Sequence, residues 1–255
     1  MNVVRAEWTK ARTLPSTFWL LAGLVALLVG VGALAAGTLH VRDCADPANC
    51  GEDFAKLSLS GLWLGQAVAA VLGVLALGNE YGTRMITVTV AAVPGRLRVL
   101  AGKAGVVLAL VAIPAVPGVV AAFALARRIF AHSGFALPDA VAGASLRAAG
   151  GTVLYLALVA LLGLGVTAVV RDTAGSLSVV LLLLYATPAL TLVVSDPSWH
   201  ERLQKYSPLT AGMAIQATTN LDAQPIGPWH GLGVLAAWTA AAVVAGAVSF
   251  VVRDA

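Results

Sequence analysis

Six long apolar runs alternate with polar segments along this chain. They cover about residues 18–39, 57–78, 104–126, 149–170, 173–195 and 229–252. Each is close to the ~20 residues that a helix needs to cross the hydrocarbon core of a bilayer. A helix also satisfies its own backbone hydrogen bonds in lipid, where no water is available. The pattern predicts an all-α integral membrane protein with six transmembrane helices, forming one transmembrane domain over residues 1–255.

The segment before the first run, residues 1–17, has a different periodicity. Val4 and Trp8 share one face at helical spacing, while Glu7 and Lys10 lie largely elsewhere. A helix of this kind lies in the membrane interface with its apolar face toward the acyl chains. We therefore predict an N-terminal amphipathic interface helix. The alternative is a plain positively charged flank to the first span.

Composition supports the membrane class. The 255 residues are 59% hydrophobic and 11% charged, with a mean hydropathy of +0.89. One soluble core cannot bury that much apolar surface. The net charge of +4 is modest and is spread over several loops, so it does not indicate nucleic-acid binding.

A polar, basic segment over residues 79–103 separates the second and third runs. Its single acid is Glu80, and its bases are Arg84, Arg96, Arg98 and Lys103. Cytoplasmic loops near span ends are enriched in Lys and Arg, so we expect this segment in the cytosol. With six spans, the N- and C-termini are then cytosolic as well.

Three arginines disagree with that topology. Arg127, Arg128 and Arg147 fall on the outer side, where the positive-inside rule predicts few bases. The orientation therefore depends on the first half of the chain, which often dominates.

The stretch Ile86–Val90 within the polar segment has two interpretations. Its alternating β-branched residues are typical of a strand, whereas Ile86, Val90, Val93 and Leu97 mark one helical face. A lone strand at a membrane surface has no partner for its backbone groups, so we predict a helix.

A few polar and aromatic side chains inside the spans are candidates for a substrate path. They are Trp63, Gln66, Tyr155, Tyr185 and Thr187. An amide at span depth more often bonds a neighbouring helix than a ligand. The second run also has a small-x-x-x-small pattern, Gly61 to Gly65, which allows close approach of two helices.

The chain has no recognisable energy source. Gly95 and Gly102-Lys103 have the wrong spacing for a phosphate-binding loop, and no Ser or Thr follows Lys103. No catalytic or metal-binding motif is present, and the spans hold almost no ionisable residue for a proton or ion relay, which argues against a secondary transporter. We expect the energy to come from another chain.

Several short motifs resemble those of the permease subunits of type-2 ATP-binding-cassette (ABC) exporters. They are Glu7-Trp8-Thr9-Lys10, Gly78-Asn79-Glu80-Tyr81, Pro94-Gly95-Arg96 and Lys103. The resemblance covers essentially the whole chain and implies the type-2 ABC exporter permease fold, with a coupling helix at residues 80 to about 98 that docks on a separate ATPase. The implied coupling residues are Glu80, Tyr81, Gly82, Thr83, Arg84, Pro94 and Arg96.

The chain departs from that family at two positions. Arg84 stands where relatives often have Gly, and Gly95 where a second basic residue is common. Both bear on the docking contacts. Since Glu80 and Arg84 lie between spans, we expect both at a wet membrane surface.

The resemblance also implies the partners and the location. These are cytosolic ABC ATPase subunits, a second permease copy or a homologous permease, and the lipids of the bacterial cytoplasmic (inner) membrane. This chain is then no enzyme and holds no cofactor, with ATP and Mg bound by the ATPase. The alternative is a non-transporting anchor or sensor subunit of an ABC-like complex.

The two cysteines give a test of the topology. Cys44 and Cys50 lie in the segment after the first span, which the predicted topology puts on the oxidising side, so we expect a disulfide between them. A metal site and two free thiols are the alternatives. Thiol labelling of intact cells should modify neither residue before reduction and both afterwards. Labelling that requires opening the membrane would contradict the topology.

Overall fold

The computed structural model describes residues 3–38, 53–92, 95–134, 142–193 and 196–252. Helices joined by short turns make up these residues, with no β-strand among them. In chain order the helices are α1 (Val3–Thr13), α2 (Pro15–Thr38), α3 (Phe54–Ser58), α4 (Leu62–Gly82), α5 (Met85–Ala92), α6 (Arg96–His132), α7 (Ala142–Val170), α8 (Thr173–Val193), α9 (Pro197–Tyr206), α10 (Pro208–Met213) and α11 (Pro228–Val252). Two short 3₁₀ turns lie between α10 and α11.

Six of the helices are long and apolar enough to cross a membrane. These are α2, α4, α6, α7, α8 and α11, with mean hydropathies between 1.6 and 2.6 over 18 residues. The prediction of six spanning helices is confirmed, and the chain is a multi-pass helical membrane protein.

The N-terminal segment forms a separate helix, as predicted. α1 ends at Thr13, and α2 begins at Pro15, where a proline fits the first turn because its missing N–H has no helical partner. α1 packs against both α2 and α6.

The second span begins later than the apolar run suggests. The run starts near residue 57, but α3 ends at Ser58 and α4 begins at Leu62. The chain turns at Gly61, and this residue packs against the backbone of α2. A Cβ atom on Gly61 would lie 2.4 Å from the carbonyl oxygen of Leu27, so the small-x-x-x-small pattern does mark a close approach.

The third span is longer than predicted. The apolar run covers 104–126, whereas α6 runs without a break from Arg96 to His132. At 1.5 Å per residue its 37 residues extend about 55 Å, well beyond the ~30 Å hydrocarbon core. The helix therefore carries polar residues past both faces of the membrane.

The helices α4 and α7 pack at the centre of the bundle. Their backbones approach most closely at glycines. A Cβ on Gly73 would lie 1.9 Å from the carbonyl oxygen of Ala160, and one on Gly163 would lie 2.7 Å from that of Ala70. In lipid, such close van der Waals packing replaces the hydrophobic effect as the force between helices.

The bundle has two ends with different chemistry. We call the "α1 end" the one formed by α1, the α4–α5 turn, the α7–α8 turn and the last turn of α11. The "opposite end" is formed by α3, the last turns of α6, the start of α7 and the segment 207–217.

At the opposite end the segment 207–217 is buried between spans. Asp53 accepts hydrogen bonds from the backbone N–H and the hydroxyl of Thr218, the latter at 2.7 Å. Gln216 is fully buried and donates to the carbonyl of Leu59 at 3.2 Å. These contacts join the segment and the residue after it to the chain on both sides of α3.

The three arginines that disagree with the positive-inside rule all belong to the opposite end. Arg127 and Arg128 are exposed on the last turns of α6. Arg147 donates to the carbonyl oxygen of Ala217, so its charge is held by the buried segment.

Three predicted site residues lie outside the described residues. They are Cys44 and Cys50 of the predicted disulfide and Pro94 of the predicted coupling segment. Their assignments stay predictions.

The close approach of α4 and α7 can be tested with Gly73→Ala. The added methyl group meets the backbone of Ala160, so we expect the free energy of unfolding to fall by about 1–3 kcal/mol. Thermal unfolding of the purified protein measures this change. Gly105→Ala is the matched control, because a Cβ there meets nothing within 4 Å. Alanine also suits a helix better than glycine, so this control should unfold at the parental temperature or slightly above it. Equal melting temperatures for the two variants would contradict the packing.

Candidate functional site

Four charged side chains from three helices meet at the α1 end. The ammonium group of Lys103, on α6, donates to Glu80 Oε1 on α4 at 2.7 Å and to Glu7 Oε2 on α1 at 2.8 Å. Lys10 of α1 also donates to Glu80 Oε1, at 2.5 Å. We call these four residues the charge cluster.

Helix geometry explains how these residues meet. Glu7 and Lys10 are three positions apart on α1, so both face the same side. Glu80 lies in the last turn of α4, and the carbonyl of Ala76, one turn earlier, accepts a third hydrogen bond from Lys103 at 3.3 Å. The three donors of the Lys103 ammonium are thus all satisfied.

The charge cluster is buried although it is fully ionic. The side chain of Lys103 has no exposed surface and that of Glu80 is 2% exposed, whereas Glu7 and Lys10 are 14% and 36% exposed. Removing such charges from water is costly, and only pairing with good geometry offsets the cost. The two carboxylates and two ammonium groups balance, so the cluster is neutral as a whole.

This burial corrects one expectation. Glu80 was predicted at a wet membrane surface, and the prediction is wrong, because α1 and α6 cover it. The signal for this burial in the sequence is that Glu80 is the one acid of an otherwise basic segment, which indicates pairing with a base. The partners could not be identified from spacing, since Lys103 and Glu7 are 96 positions apart.

Two further arginines cap the C-terminal end of α11, the last span. Arg171 donates to the carbonyl of Ser249 at 2.9 Å, and Arg96 donates to the carbonyls of the next two residues at 3.3 and 3.2 Å. The last carbonyls of a helix lack helical partners and carry partial negative charge, so cations stabilise them. The guanidinium of Arg171 also lies 5.8 Å from the ring centroid of Tyr81. Arg96 and Tyr81, both predicted coupling residues, therefore help to fix α11 and α7 at the α1 end.

The turn from α4 to α5 contains the other predicted coupling residues. Gly82 ends α4, and the hydroxyl of Thr83 donates to the carbonyl of Asn79 at 2.7 Å. Arg84 follows with φ of 57°, in the left-handed region that favours glycine, and its side chain is exposed. A glycine at this position would adopt this conformation without strain.

α5 itself is a helix, which confirms the choice of helix over strand for Ile86–Val90. Ile86 is 3% exposed and packs into an apolar cluster that includes Leu77, Leu100 and Phe250. Met85 and Val88 are 49% and 67% exposed. Among the described side chains of α5, Ile86 is therefore buried, whereas Met85 and Val88 are partly exposed to the surroundings.

Four of the five predicted substrate-path residues lie together within the bundle. Tyr155 donates to Gln66 Oε1 at 2.5 Å, and Gln66 donates to the carbonyl of Trp63 at 3.2 Å. Tyr185 donates to the same carbonyl at 2.6 Å, with its ring centroid 6.4 Å from that of Trp63. Thr187 is half-buried on α8, two positions beyond Tyr185.

These contacts divide the candidates by accessibility. Gln66 and Tyr155 are fully buried and tie α4 to α7, whereas Trp63 is 42% exposed and Tyr185 is half-buried on α8. Of this group, Trp63 and Tyr185 can touch a molecule that moves along the outside of α4 and α8.

A cavity of about 330 Å³ adjoins the charge cluster. It lies between α1, the start of α2, the second half of α4, the turn into α5 with Thr83 and Met85, and the first half of α6. Its walls include Glu7, Lys10 and Lys103 at one end and leucines and valines from α4 and α6 elsewhere.

A scan of the chain against models of known protein families finds no match, and a search of curated proteins finds no similar protein. Functional inference therefore starts from the geometry of the α1 end.

The charge cluster can be tested by removing one partner. Glu80→Ala leaves Lys103 buried without its main counter-charge, so we expect a loss of about 3–5 kcal/mol in unfolding free energy. The double variant Glu80→Ala/Lys103→Met leaves Glu7 to pair with Lys10 and should unfold at a higher temperature than Glu80→Ala alone. Thermal unfolding of the detergent-purified proteins measures both effects.

The matched control is Glu201→Ala. Glu201 also pairs with a lysine, Lys205, and that hydrogen bond holds the pKa of its carboxyl below the ordinary value. Because this pair is exposed, its loss should not change the unfolding temperature measurably. If Glu80→Ala also unfolds at the parental temperature, the burial of the cluster is refuted.

Proposed function

We propose that this chain is the transmembrane subunit of an ABC exporter of the type-2 class. It forms the substrate path together with a second permease copy or a homologous permease, and separate cytosolic ATPase subunits drive it. The α1 end faces the cytosol, and the membrane is the bacterial cytoplasmic membrane. The segment of residues 80 to about 98 transmits movement from the ATPase to the spans.

The observation that carries this proposal is α5. It is a short helix between two spans, outside both, with exposed apolar side chains at Met85 and Val88. A short segment with no role in crossing the membrane has little reason to present apolar surface to water. Docking into a groove of another protein would bury that surface, and a cytosolic ATPase is the partner that the motifs of this chain imply.

The contacts behind α5 suit it for transmitting force. Ile86 belongs to an apolar cluster that also contains residues of α4, α6, α7 and α11, and α5 packs directly against α4 and α6, so a displacement of α5 acts on these two spans. Arg84 is a conformational break at the start of α5, and the charge cluster lies one turn before it. Closure of two ATPases would push or tilt α5, and the spans packed against it would change their orientation in the membrane.

The distribution of charge supports the orientation. The α1 end and the chain leading to it carry most of the bases of the first half of the sequence, including Arg5, Lys10 and Arg12 on α1. Five further bases lie at the same end, namely Arg84, Arg96, Arg98, Lys103 and Arg171. Bases near span ends favour the cytosolic side.

The docking surface can be tested with Val88→Asp. The side chain is exposed, so the change should alter stability by less than about 0.5 kcal/mol. Placing a charge in a docked apolar contact should instead weaken ATPase association about tenfold or more. The measurement is vanadate-sensitive ATP hydrolysis of the complex purified from native membranes by a tag on this chain.

Leu221→Asp is the matched control for that experiment. Leu221 is 38% exposed, and it lies after α10, on the side of the bundle away from α5. ATP hydrolysis should co-purify with Leu221→Asp at the parental level and be lost with Val88→Asp. If both variants retain it equally, α5 is not the docking surface.

The same preparation separates an exporter from an anchor or sensor subunit. After reconstitution into vesicles, an exporter couples hydrolysis to substrate movement, so a panel of apolar compounds should contain some that stimulate ATP hydrolysis. A complex whose hydrolysis is unaffected by every compound, and that moves none of them, favours the anchor or sensor.

A further inference from the structure

The cavity beside the charge cluster has a polarity gradient that three helices share. On α4 its lining changes from Leu72 and Leu75 to Asn79 toward the α1 end. On α6 it changes from Leu110 to Lys103 in the same direction. α2 repeats the order, with hydroxyl residues at its start and a leucine deeper in.

The deep part of the cavity is unsuited to water. Its walls are aliphatic, and a water molecule needs two to four polar partners. At a membrane surface, acyl chains are available at high local concentration. The volume of about 330 Å³ is at the lower end of the range of about 300–1,000 Å³ for small-molecule sites, so one acyl chain is the kind of group that suits it.

The polar mouth of the cavity favours an anion. The side chain of Lys10 is 36% exposed, and the contact with Glu80 uses one of its three donors. Ser16 and Thr17, in the first turn of α2, line the mouth as well. The N-terminus of this 24-residue helix adds a partial positive charge at the same place. The charge cluster as a whole is neutral, so the mouth offers an anion the remaining donors of Lys10 and the start of α2 rather than a net positive charge.

From these observations we propose that the cavity is a binding site for one anionic phospholipid of the leaflet at the α1 end. One acyl chain occupies the aliphatic part between α4 and α6, and the headgroup phosphate binds Lys10 and the start of α2. α1 then lies over the bound lipid and is held in place by it. This site does not depend on the ATPase assignment, because it involves only this chain and the membrane.

Native mass spectrometry of the purified protein, titrated with phosphatidylglycerol and with phosphatidylcholine of the same chains, tests the proposal. One phosphatidylglycerol per chain should be retained, about tenfold more tightly than phosphatidylcholine, because the quaternary ammonium group of phosphatidylcholine neutralises its own phosphate and weakens the charge-assisted contact. Equal retention of the two lipids would overturn the anion site.

Cavity-filling variants test the position of the lipid. Ala11→Trp places an indole in the cavity from the α1 wall and should reduce phosphatidylglycerol retention at least about tenfold. Ala6→Trp is the control, since Ala6 is exposed on the same helix and outside the cavity lining, and it should bind as the parent does. If Ala11→Trp does not purify as a monodisperse protein, Leu75→Trp fills the cavity from the α4 wall instead. Undiminished retention by the folded cavity-filling variant would show that the lipid binds elsewhere.

Discussion

The buried ammonium group of Lys103 determines how the α1 end is assembled. An unpaired charge at that depth would be strongly unfavourable, so α6 can pack there only if counter-charges reach it. Glu80 supplies one from α4 and Glu7 supplies the other from α1, while Lys10 of α1 donates a second hydrogen bond to Glu80. The position of α1 is therefore set by ion pairing as well as by apolar contact, and α1 cannot move away without exposing or stranding a charge.

The elements of the α1 end are held in two different ways. The charge cluster and the arginines that cap α11 join α1, α4, α6, α7 and α11 through several directed hydrogen bonds. α5 has a different attachment, with Ile86 as its buried anchor and the strained residue Arg84 at its start. In the proposed coupling, a partner that pushes on α5 acts through Ile86 on helices that the charge cluster holds together. The force is then passed to those helices as a group.

The sequence predicts the number of spans well because the length of an apolar run is a direct consequence of bilayer thickness. It is less informative where polar residues are part of a helix. Hydropathy assigns Arg96 and Lys103 to a loop, but both belong to α6. Arg96 caps the end of α11, and Lys103 is buried in the charge cluster. Trp63 and Tyr185 could be chosen by residue type, but their contact joins positions 122 apart and is a property of the tertiary fold.

Burial within the chain also bears on where a substrate path could form. α4 and α7 have more than half of their apolar windows buried, at 56% and 61%, whereas α2 and α8 have 17% and α11 has 22%. The centre of the described bundle is thus a packed core in which the fully buried Tyr155 donates to Gln66. A path that uses Trp63 and Tyr185 must run along the outside of α4 and α8. In lipid that surface becomes a channel only when a second subunit faces it. Because α8 is mostly exposed in this chain, the proposed export needs a paired permease that covers it.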